Sequence, residues 1–148
     1  MTVAVGADHA GFEAKRRIVE HLRGLGCDVM DLGTDSAAPT DYPDYARAVA
    51  RAVARGEASR GVLACKTGIG MSIAANKVPG VRAAVCHNAL EARLSRAHND
   101  ANVLCVGGGL LGDAAIEDVL DAWLATEFEG GRHARRVSKI EPQEPGER

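Results

Sequence analysis

Aromatic residues are scarce in this sequence. Two Phe, two Tyr and one Trp make up 3% of its 148 residues. Proteins that hold single-stranded nucleic acid stack the bases on aromatic side chains, so this composition argues against such a surface. The formal net charge of −2 likewise argues against a general nucleic-acid binder, which needs a basic face. The length suits one domain, whose core must be built from Ala, Val, Leu and Ile.

Long apolar runs, a basic leader and paired cysteines are also missing. No segment approaches the ~20 apolar residues of a membrane span. Residues 2–5 lack the basic start and the long apolar stretch of a signal peptide. The cysteines are irregularly spaced and form no C-x-x-C pair: Cys27, Cys65, Cys86 and Cys105. This spacing argues against a zinc site or a disulfide framework, and it favours a reducing, cytoplasmic location.

Short apolar runs alternate with amphipathic segments along the chain. We predict strands at residues 2–6, 27–32, 62–64, 81–86 and 103–106. We predict helices at residues 12–25 and 42–55, a third ending near 77, and then 87–96, 113–126 and a last short helix or tail. This alternation predicts an α/β fold with a five-stranded parallel sheet covered by helices on both faces. One domain spans residues 1–140, and we expect residues 141–148 to be disordered.

The helical period of 3.6 residues assigns an inner and an outer face to the first predicted helix. The inner face holds five apolar residues: Phe12, Ile18, Val19, Leu22 and Leu25. The outer face holds mainly charged residues, among them Lys15. We therefore expect Leu25 to be buried and Lys15 to be solvated.

The turns that follow the predicted strands carry polar residues. Right-handed crossovers bring every strand-to-helix turn of a parallel sheet to its carboxyl edge, where such sheets bind ligands. Those turns contain Asp8 and His9, residues 65–70, His87 and residues 107–109. Asp8 suits a plain structural role as a turn or cap residue. Together with His9 it also suits binding of sugar hydroxyls or movement of a proton.

Residues 61–72 form the most informative of these turns. An apolar strand ends at Cys65, and a helix opens after Gly68 and Gly70, which leave room for a ligand beside the backbone. The first helical turn points unpaired N–H groups at that space, and its dipole favours an anion there. The helix start and the neighbouring Lys66 favour the thiolate form of Cys65. A packed, inert cysteine is the alternative.

A polar turn precedes the fifth predicted strand. His98, Asn99 and Asp100, followed by Asn102, are dense in hydrogen-bonding groups. A lone histidine at such a place is usually a surface residue. This density favours a functional role instead.

A basic cluster follows the last long helix. It consists of Arg132, His133, Arg135 and Arg136 in a chain whose balance is acidic. Such a run is often only a solvated face, but Arg side chains also bind phosphate with two parallel hydrogen bonds. The cluster can reach its own carboxyl edge or that of a neighbouring subunit, and both alternatives stay open.

Five blocks of this sequence resemble the type B ribose-5-phosphate isomerases, a family that includes galactose-6-phosphate isomerase subunits. The blocks are residues 6–12 (GADHAGF), 40–43 (TDYP), 65–77 (CKTGIGMSIAANK), 97–102 (AHNDAN) and 130–133 (GGRH). The resemblance extends from residue 3 to about residue 138. It implies a Rossmann-like three-layer α-β-α sandwich and an aldose–ketose isomerase without metal or cofactor. It also implies a homodimer or homotetramer with shared active sites.

The resemblance assigns catalytic roles to four residues. Cys65 corresponds to the base that takes the proton from C2 of the opened sugar and returns it at C1. Thr67 and the neighbouring amides hold the enediolate oxygens. His98, with Asp8, corresponds to the group that opens the furanose ring. The chemistry is coherent, because proton transfer through an enediolate needs a base and donors fixed where negative charge develops.

Substrate-binding roles follow from the same resemblance. His9, Arg132, His133 and Arg136 correspond to phosphate ligands, with the arginines reaching across a dimer interface. Asn99 corresponds to a ligand of the sugar hydroxyls. The remaining binding residues surround the thiol: Tyr42, Lys66, Gly68, Ile69, Gly70 and Ser72.

Two positions depart from the family pattern. Many relatives have Gly where this chain has Lys66, and many have a phosphate-binding Arg where it has Gly109. We hypothesise that Lys66 partly replaces the lost charge, or that the substrate is a tetrose phosphate or the 6-phosphate of allose or galactose.

The leading prediction is the interconversion of ribose 5-phosphate and ribulose 5-phosphate. A sugar-phosphate sensor without catalysis is an alternative from another class, and the presence of Cys65 and His98 argues against it. A nucleotide-binding response module is a third possibility. We recognise neither an acidic metal cluster nor a G-x-G-x-x-G fingerprint that would support it.

Overall fold

A five-stranded parallel sheet lies between two layers of helices in the computed structural model, which describes residues 1–141. The strands are β1 (Thr2–Ala7), β2 (Asp28–Asp31), β3 (Arg60–Cys65), β4 (Ala83–Val85) and β5 (Val103–Gly107). The helices are α1 (Phe12–Gly24), α2 (Tyr42–Ala54), α3 (Ile69–Ala75), α4 (Ala89–Ala97), α5 (Asp113–Ala125) and α6 (Arg132–Val137). A short 3-10 turn, His9–Gly11, precedes α1. The strand order is β2-β1-β3-β5-β4, and the predicted fold class is confirmed.

The three central strands are buried on both faces because helices cover both sides of the sheet. One face packs against α1, α4 and α5, with Ile18, Leu22 and Trp123 among its fully buried side chains. The other face packs against α2 and α3 through Val49 and Met71. The scarcity of aromatic residues therefore leaves a core made mainly of small aliphatic side chains.

Two of the face assignments for α1 are wrong. Leu25 is 53% exposed, because it follows the last turn of α1 where no other layer covers it. Lys15 is only 3% exposed. Its Nζ lies 2.7 Å from Asp31 Oδ1 at the end of β2, and 5.8 Å from the centroid of the Phe12 ring. This ion pair between α1 and an edge strand could not be read from helical periodicity.

The edge strand β4 is shorter than the predicted strand at residues 81–86. Asn76 takes the place of a neighbouring strand, since its side chain accepts from Ala83 N–H at 2.8 Å and donates to Ala83 O at 3.0 Å. Arg82 N–H donates to the side chain of Asn102 at 2.7 Å instead of to a strand. Side chains thus satisfy backbone groups that would otherwise leave an open sheet edge.

Helix α4 begins two residues later than predicted because Asn88 caps it. The Asn88 side chain accepts from Glu91 N–H at 2.8 Å. Across residues 1–141 we find no helix whose length and apolar content would let it cross a membrane. The expected disordered tail, residues 141–148, lies outside the described residues except for Glu141.

Candidate active site

The thiol of Cys65 lies at the carboxyl end of β3. Its sulfur accepts a hydrogen bond from Gly68 N–H at 3.1 Å, and the residue is 5% exposed. Gly68 has a φ of +80°, which favours glycine, and a Cβ there would lie 3.0 Å from the carbonyl carbon of Val106. The thiol is therefore part of a tightly packed glycine turn that opens α3.

Polar groups expected to bind substrate surround this turn. Ile69 N–H donates to Thr67 Oγ1 at 3.2 Å, and the Ser72 hydroxyl donates to Ile69 O at 2.7 Å. Tyr42, at the start of α2, lays its ring against Gly70, where a Cβ would lie 2.8 Å from the ring. The structure thus brings these five expected site residues to the same turn as the thiol.

Asp8 and His9 lie at the end of β1, beside β3. Asp8 is 6% exposed, and its Oδ1 accepts from Gly11 N–H at 3.0 Å as a helix cap. A Cβ on Gly11 would lie 2.2 Å from Ala64 O, so the Asp8 turn packs directly against the strand that carries the thiol. His9 N–H donates to Thr40 Oγ1, and Thr40 N–H donates to His9 Nδ1, both at 3.1 Å. The second bond puts the ring proton of neutral His9 on Nε2.

Lys66 and Gly109, the two departures from the family pattern, are in contact. Gly109 N–H donates to Lys66 O at 2.9 Å. A Cβ at position 109 would lie 2.9 Å from Lys66 Cγ. The Cγ of this exposed lysine therefore lies in the space that a side chain at position 109 would occupy.

Residues 107–112 spell G-x-G-x-x-G between β5 and α5, a pattern that the sequence interpretation overlooked. A Cβ on Gly107 would lie 2.8 Å from the backbone of Thr67, and one on Gly108 would lie 2.9 Å from Ala14 Cβ. These glycines let the end of β5 pack against the thiol turn and α1. Close packing explains Gly107 and Gly108, whereas a Cβ on Gly112 would meet nothing within 4 Å.

A second polar group lies at the end of α4. The rings of His98 and His133 stack with centroids 4.2 Å apart and planes 7° apart. Glu129 Oε2 lies 3.4 Å from His133 Nε2, without hydrogen-bond geometry, and 4.0 Å from His98 Nε2. Burial and the neighbouring His98 lower the pKa of His133. His133 is therefore held in its neutral form beside the histidine expected to open the sugar ring.

The arginines of α6 lie beside this histidine stack. Arg132 and Arg136 are exposed, whereas His133 between them is buried. A cavity of about 360 Å³ is lined by His98, Asn99, His133, Arg136, Val137 and Ile140. It brings expected ring-opening, hydroxyl-binding and phosphate-binding residues together.

The thiol turn and the histidine stack lie at opposite edges of the sheet. Cys65 pairs with Gly107 at the carboxyl end of β3, while Gly61 N–H donates to Asn102 O at the amino end. Strand β5, at about 3.3 Å per residue, separates the two edges by roughly 15 Å. One chain therefore does not pair His98 with Asp8, and its basic cluster does not reach its own carboxyl edge.

His98, Glu129 and His133 offer three ligand atoms within 4.8 Å of one another. A metal ion bonds to the in-plane lone pair of an imidazole nitrogen. Two stacked, nearly parallel rings cannot aim these lone pairs at one ion. In this arrangement the cluster suits hydrogen bonding to a sugar better than metal binding.

Two neighbours of the expected site residues were missed in the sequence. Thr40 exchanges hydrogen bonds with His9, and Glu129 lies beside both stacked histidines. A signal existed for each. Thr40 opens the TDYP block, and Glu129 directly precedes the GGRH block.

Comparisons with known proteins agree over nearly the whole chain. A family model described as Ribose/Galactose Isomerase matches residues 3–140. Ribose-5-phosphate isomerase B of Escherichia coli is 51% identical over 138 residues, 93% of each chain. The solved structure of ribose-5-phosphate isomerase B from Clostridium thermocellum is also 51% identical, with a TM-score of 0.94 over 95% of each chain. D-erythrulose-4-phosphate isomerase of Pectobacterium atrosepticum is 41% identical and covers 95% of this chain and 93% of its own.

Proposed function

This chain belongs to the ribose/galactose isomerase family, and from that premise we propose that it interconverts ribose 5-phosphate and ribulose 5-phosphate. The observation that carries the proposal is the buried Cys65 thiol, held by Gly68 N–H at the end of β3. The names of the Escherichia coli and Clostridium thermocellum relatives support this choice of substrate.

Proton transfer is the step we assign to Cys65. Its thiolate takes the proton from C2 of the open-chain aldose, and the carbonyl oxygen on C1 becomes one of the two oxygens of an enediolate. Return of the same proton to C1 leaves the carbonyl at C2. The hydroxyl proton of O2 is lost and O1 gains one, so the reaction is balanced. We assign the Thr67 hydroxyl as a donor to the developing negative charge, because its oxygen accepts from Ile69 N–H and its own proton stays available to donate. The amides at the start of α3 are the further donors we assign.

Ring opening is the step we assign to His98. The furanose form must lose the proton of its O1 hydroxyl and gain one on the ring oxygen before C2 becomes acidic. An imidazole can perform both transfers near neutral pH. The stack with His133, which is held neutral by burial and by His98, supports a fixed orientation for this ring.

A shared active site follows from where these groups lie. Ring opening and proton transfer act on neighbouring atoms of one sugar, yet the two groups occupy opposite edges of one chain. We therefore propose a homodimer in which Cys65 and Asp8 of one copy face His98 and Asn99 of another. A homotetramer built from two such dimers provides the same sites.

In this arrangement we assign the phosphate to exposed hydrogen-bond donors of both copies. His9 lies with the thiol, and Arg132 and Arg136 lie with His98. Their side chains would close on one phosphate from both copies, as Arg side chains do with two parallel hydrogen bonds. The burial of His133 supports a role in orienting His98, beside or instead of the phosphate contact expected from the sequence.

Replacement of Cys65 tests the proposal. We expect Cys65→Ala to lose about 10²–10⁴-fold in kcat with ribose 5-phosphate, the usual contribution of a general acid–base group, while sugar phosphate still binds. Cys27→Ser, at the half-buried cysteine before β2, is the matched control. Wild-type protein that binds sugar phosphate without turnover would instead identify the sensor.

A tetrose phosphate is the second candidate substrate. Lys66 lies over Gly109 beside the thiol, and the Pectobacterium relative is named for a four-carbon substrate. A cation closer to the base suits a phosphate on a shorter sugar. We expect Lys66→Gly to change the ratio of kcat/KM for erythrulose 4-phosphate and ribulose 5-phosphate. Wild-type protein that prefers the pentose, with an unchanged ratio in the variant, would reject this candidate.

Three expectations remain proposals beside the reaction. We propose that the enzyme needs neither metal nor cofactor, so treatment with EDTA should leave turnover unchanged. We propose a cytoplasmic location, which the free thiols of all four cysteines support. The choice between dimer and tetramer requires the mass of the native assembly in solution.

A further inference from the structure

The turn that carries His98 and Asn99 closes at Asp100. This residue has a φ of +48°, in the left-handed region that Asp and Asn tolerate better than most residues. Its N–H donates to Arg96 O in the last turn of α4, at 3.2 Å. Ala101 N–H donates in turn to a carbonyl one residue earlier in α4, at 2.9 Å. The position of His98 therefore depends on the conformation of Asp100.

The carboxylate of Asp100 bridges two arginines from different elements. Its Oδ1 accepts from Arg96 Nη1 at 2.9 Å, and its Oδ2 accepts from Arg82 Nη2 at 3.4 Å. Arg82 Nε also donates to Asp100 O at 2.9 Å. Arg96 is only 6% exposed, so loss of the carboxylate would leave a buried cation without its anion.

Arg96 extends this network to the segment between α5 and α6. Its Nε donates to Thr126 O at 3.3 Å, at the end of α5. Glu129 N–H donates to Ala97 O at 3.0 Å, which joins the same segment to the last residue of α4. The network thus fixes the backbone on both sides of the histidine stack.

We propose that Asp100 is a positioning residue for His98: by bridging Arg96 and Arg82, it holds the histidine in the orientation that ring opening requires. This inference rests on the proposed function, because it takes His98 as the ring-opening group. Asp100 acts through geometry alone, and a misplacement of about 1 Å costs about 10²-fold in rate.

The two directions of the reaction separate ring opening from proton transfer. Ribose 5-phosphate is mainly a closed ring in solution, whereas ribulose 5-phosphate cannot close a furanose because its O5 carries the phosphate. A misplaced His98 therefore lowers kcat and KM together for ribose 5-phosphate, because the closed ring then occupies the site without reacting. It largely spares kcat for ribulose 5-phosphate, whose aldose product leaves as the open chain. The equilibrium constant fixes the ratio of kcat/KM in the two directions, so the comparison is made on kcat. A purely structural loss slows both directions alike.

The experiment compares Asp100→Asn with His98→Asn in both directions. Asn keeps the size of Asp and its tolerance of positive φ, and removes the charge. We expect Asp100→Asn to lower kcat with ribose 5-phosphate about 10–100-fold, with little change for ribulose 5-phosphate. Asp113→Asn is the matched control: it breaks the exposed pair with Arg17, 3.0 Å apart, and both rates should stay at the wild-type value.

The double variant decides whether the two residues act together. If Asp100 works through His98, His98→Asn with Asp100→Asn is no slower than His98→Asn alone. A slower double variant, or equal losses in both directions for Asp100→Asn, would overturn the positioning role. Equal losses for His98→Asn itself would instead overturn the proposed ring-opening role, and this inference with it.

Arg82→Gln provides a second variant if Asp100→Asn does not fold. The Arg82 side chain is 20% exposed, and its loss leaves the Arg96–Asp100 pair in place. The same selective loss with ribose 5-phosphate would support the proposal. Wild-type rates, or equal losses in both directions, would contradict it.

Discussion

His133 shows how burial selects the charge state of one side chain. His133 is 6% exposed, and its Nε2 has no hydrogen-bond partner among the described residues. Burial, His98 and the nearby arginines all lower its pKa, and Glu129 only partly opposes them. A neutral ring can stack on His98 without charge repulsion, so neutral pH favours the stacked arrangement.

The lowered pKa of His133 predicts a loss of stability in mild acid. Above about pH 6.5 the ring is neutral in both the folded and the unfolded chain, so it imposes no penalty. As the pH falls below that value, the unfolded chain binds the proton first, and the free energy of unfolding decreases. We expect His133→Gln to show a smaller decrease between pH 8 and pH 5.5 in urea unfolding. Parallel curves for the two proteins would contradict this assignment.

The thiol turn between β3 and α3 is the element on which the proposed proton transfer depends. Gly68 reverses the chain with a positive φ, so that its N–H points at the Cys65 sulfur. Gly107 packs against the same turn, which leaves no room for a side chain on either glycine. The position of the Cys65 thiol, the proposed base, is therefore set by backbone packing between two neighbouring strands.

Replacement of Gly68 should separate strain from function. Gly68→Ala and Gly56→Ala both force Ala into a positive φ, at +80° and +74°. Each should lower the free energy of unfolding by about 1–2 kcal/mol. A Cβ at position 56 meets nothing within 4 Å, whereas one at position 68 meets Val106. We expect only Gly68→Ala to lose activity, by about 10²-fold or more, because the donors beside the thiol move. Equal kinetics in the two variants would remove the turn from the mechanism.

At the scale of the whole molecule, one chain holds the two halves of the proposed site at opposite edges of its sheet, so they cannot meet within that chain. The thiol half lies at the carboxyl edge with α2 and α3, and the histidine half lies at the amino edge with α6. The closed two-fold dimer that we propose would repeat both contacts, so that two copies would complete two sites.

Mixing two variants that do not turn over ribose 5-phosphate tests this proposed shared site. Cys65→Ala and His98→Asn each disable turnover of ribose 5-phosphate at both sites of a homodimer, but a mixed dimer has one site with Cys65 and His98 intact. Random exchange should restore roughly a quarter of the wild-type activity, because half of the dimers are mixed. Cys65→Ala mixed with Gly68→Ala is the control, since both defects lie in the same half. Restoration in neither mixture would place the complete site within one chain.

Local patterns in the sequence were enough to predict the sheet and the thiol turn. Apolar runs of strand length, amphipathic helices and right-handed crossovers bring Asp8, Tyr42 and Cys65 to one edge. Each of these constraints acts over a short stretch of chain. Leu25 and Lys15 were misassigned because periodicity describes one helix and not the strand or the open surface beside it.

The sequence by itself therefore determined the fold class, the family resemblance and the turn that holds Cys65, the proposed base. Only the tertiary structure decided that His98 stacks on His133, that Asp100 joins Arg82 to Arg96, and that this group lies across the sheet from Cys65. The physical reason is that these contacts join segments far apart in the chain. Their geometry depends on how α4, α5 and α6 pack, and no local pattern of residues encodes that packing.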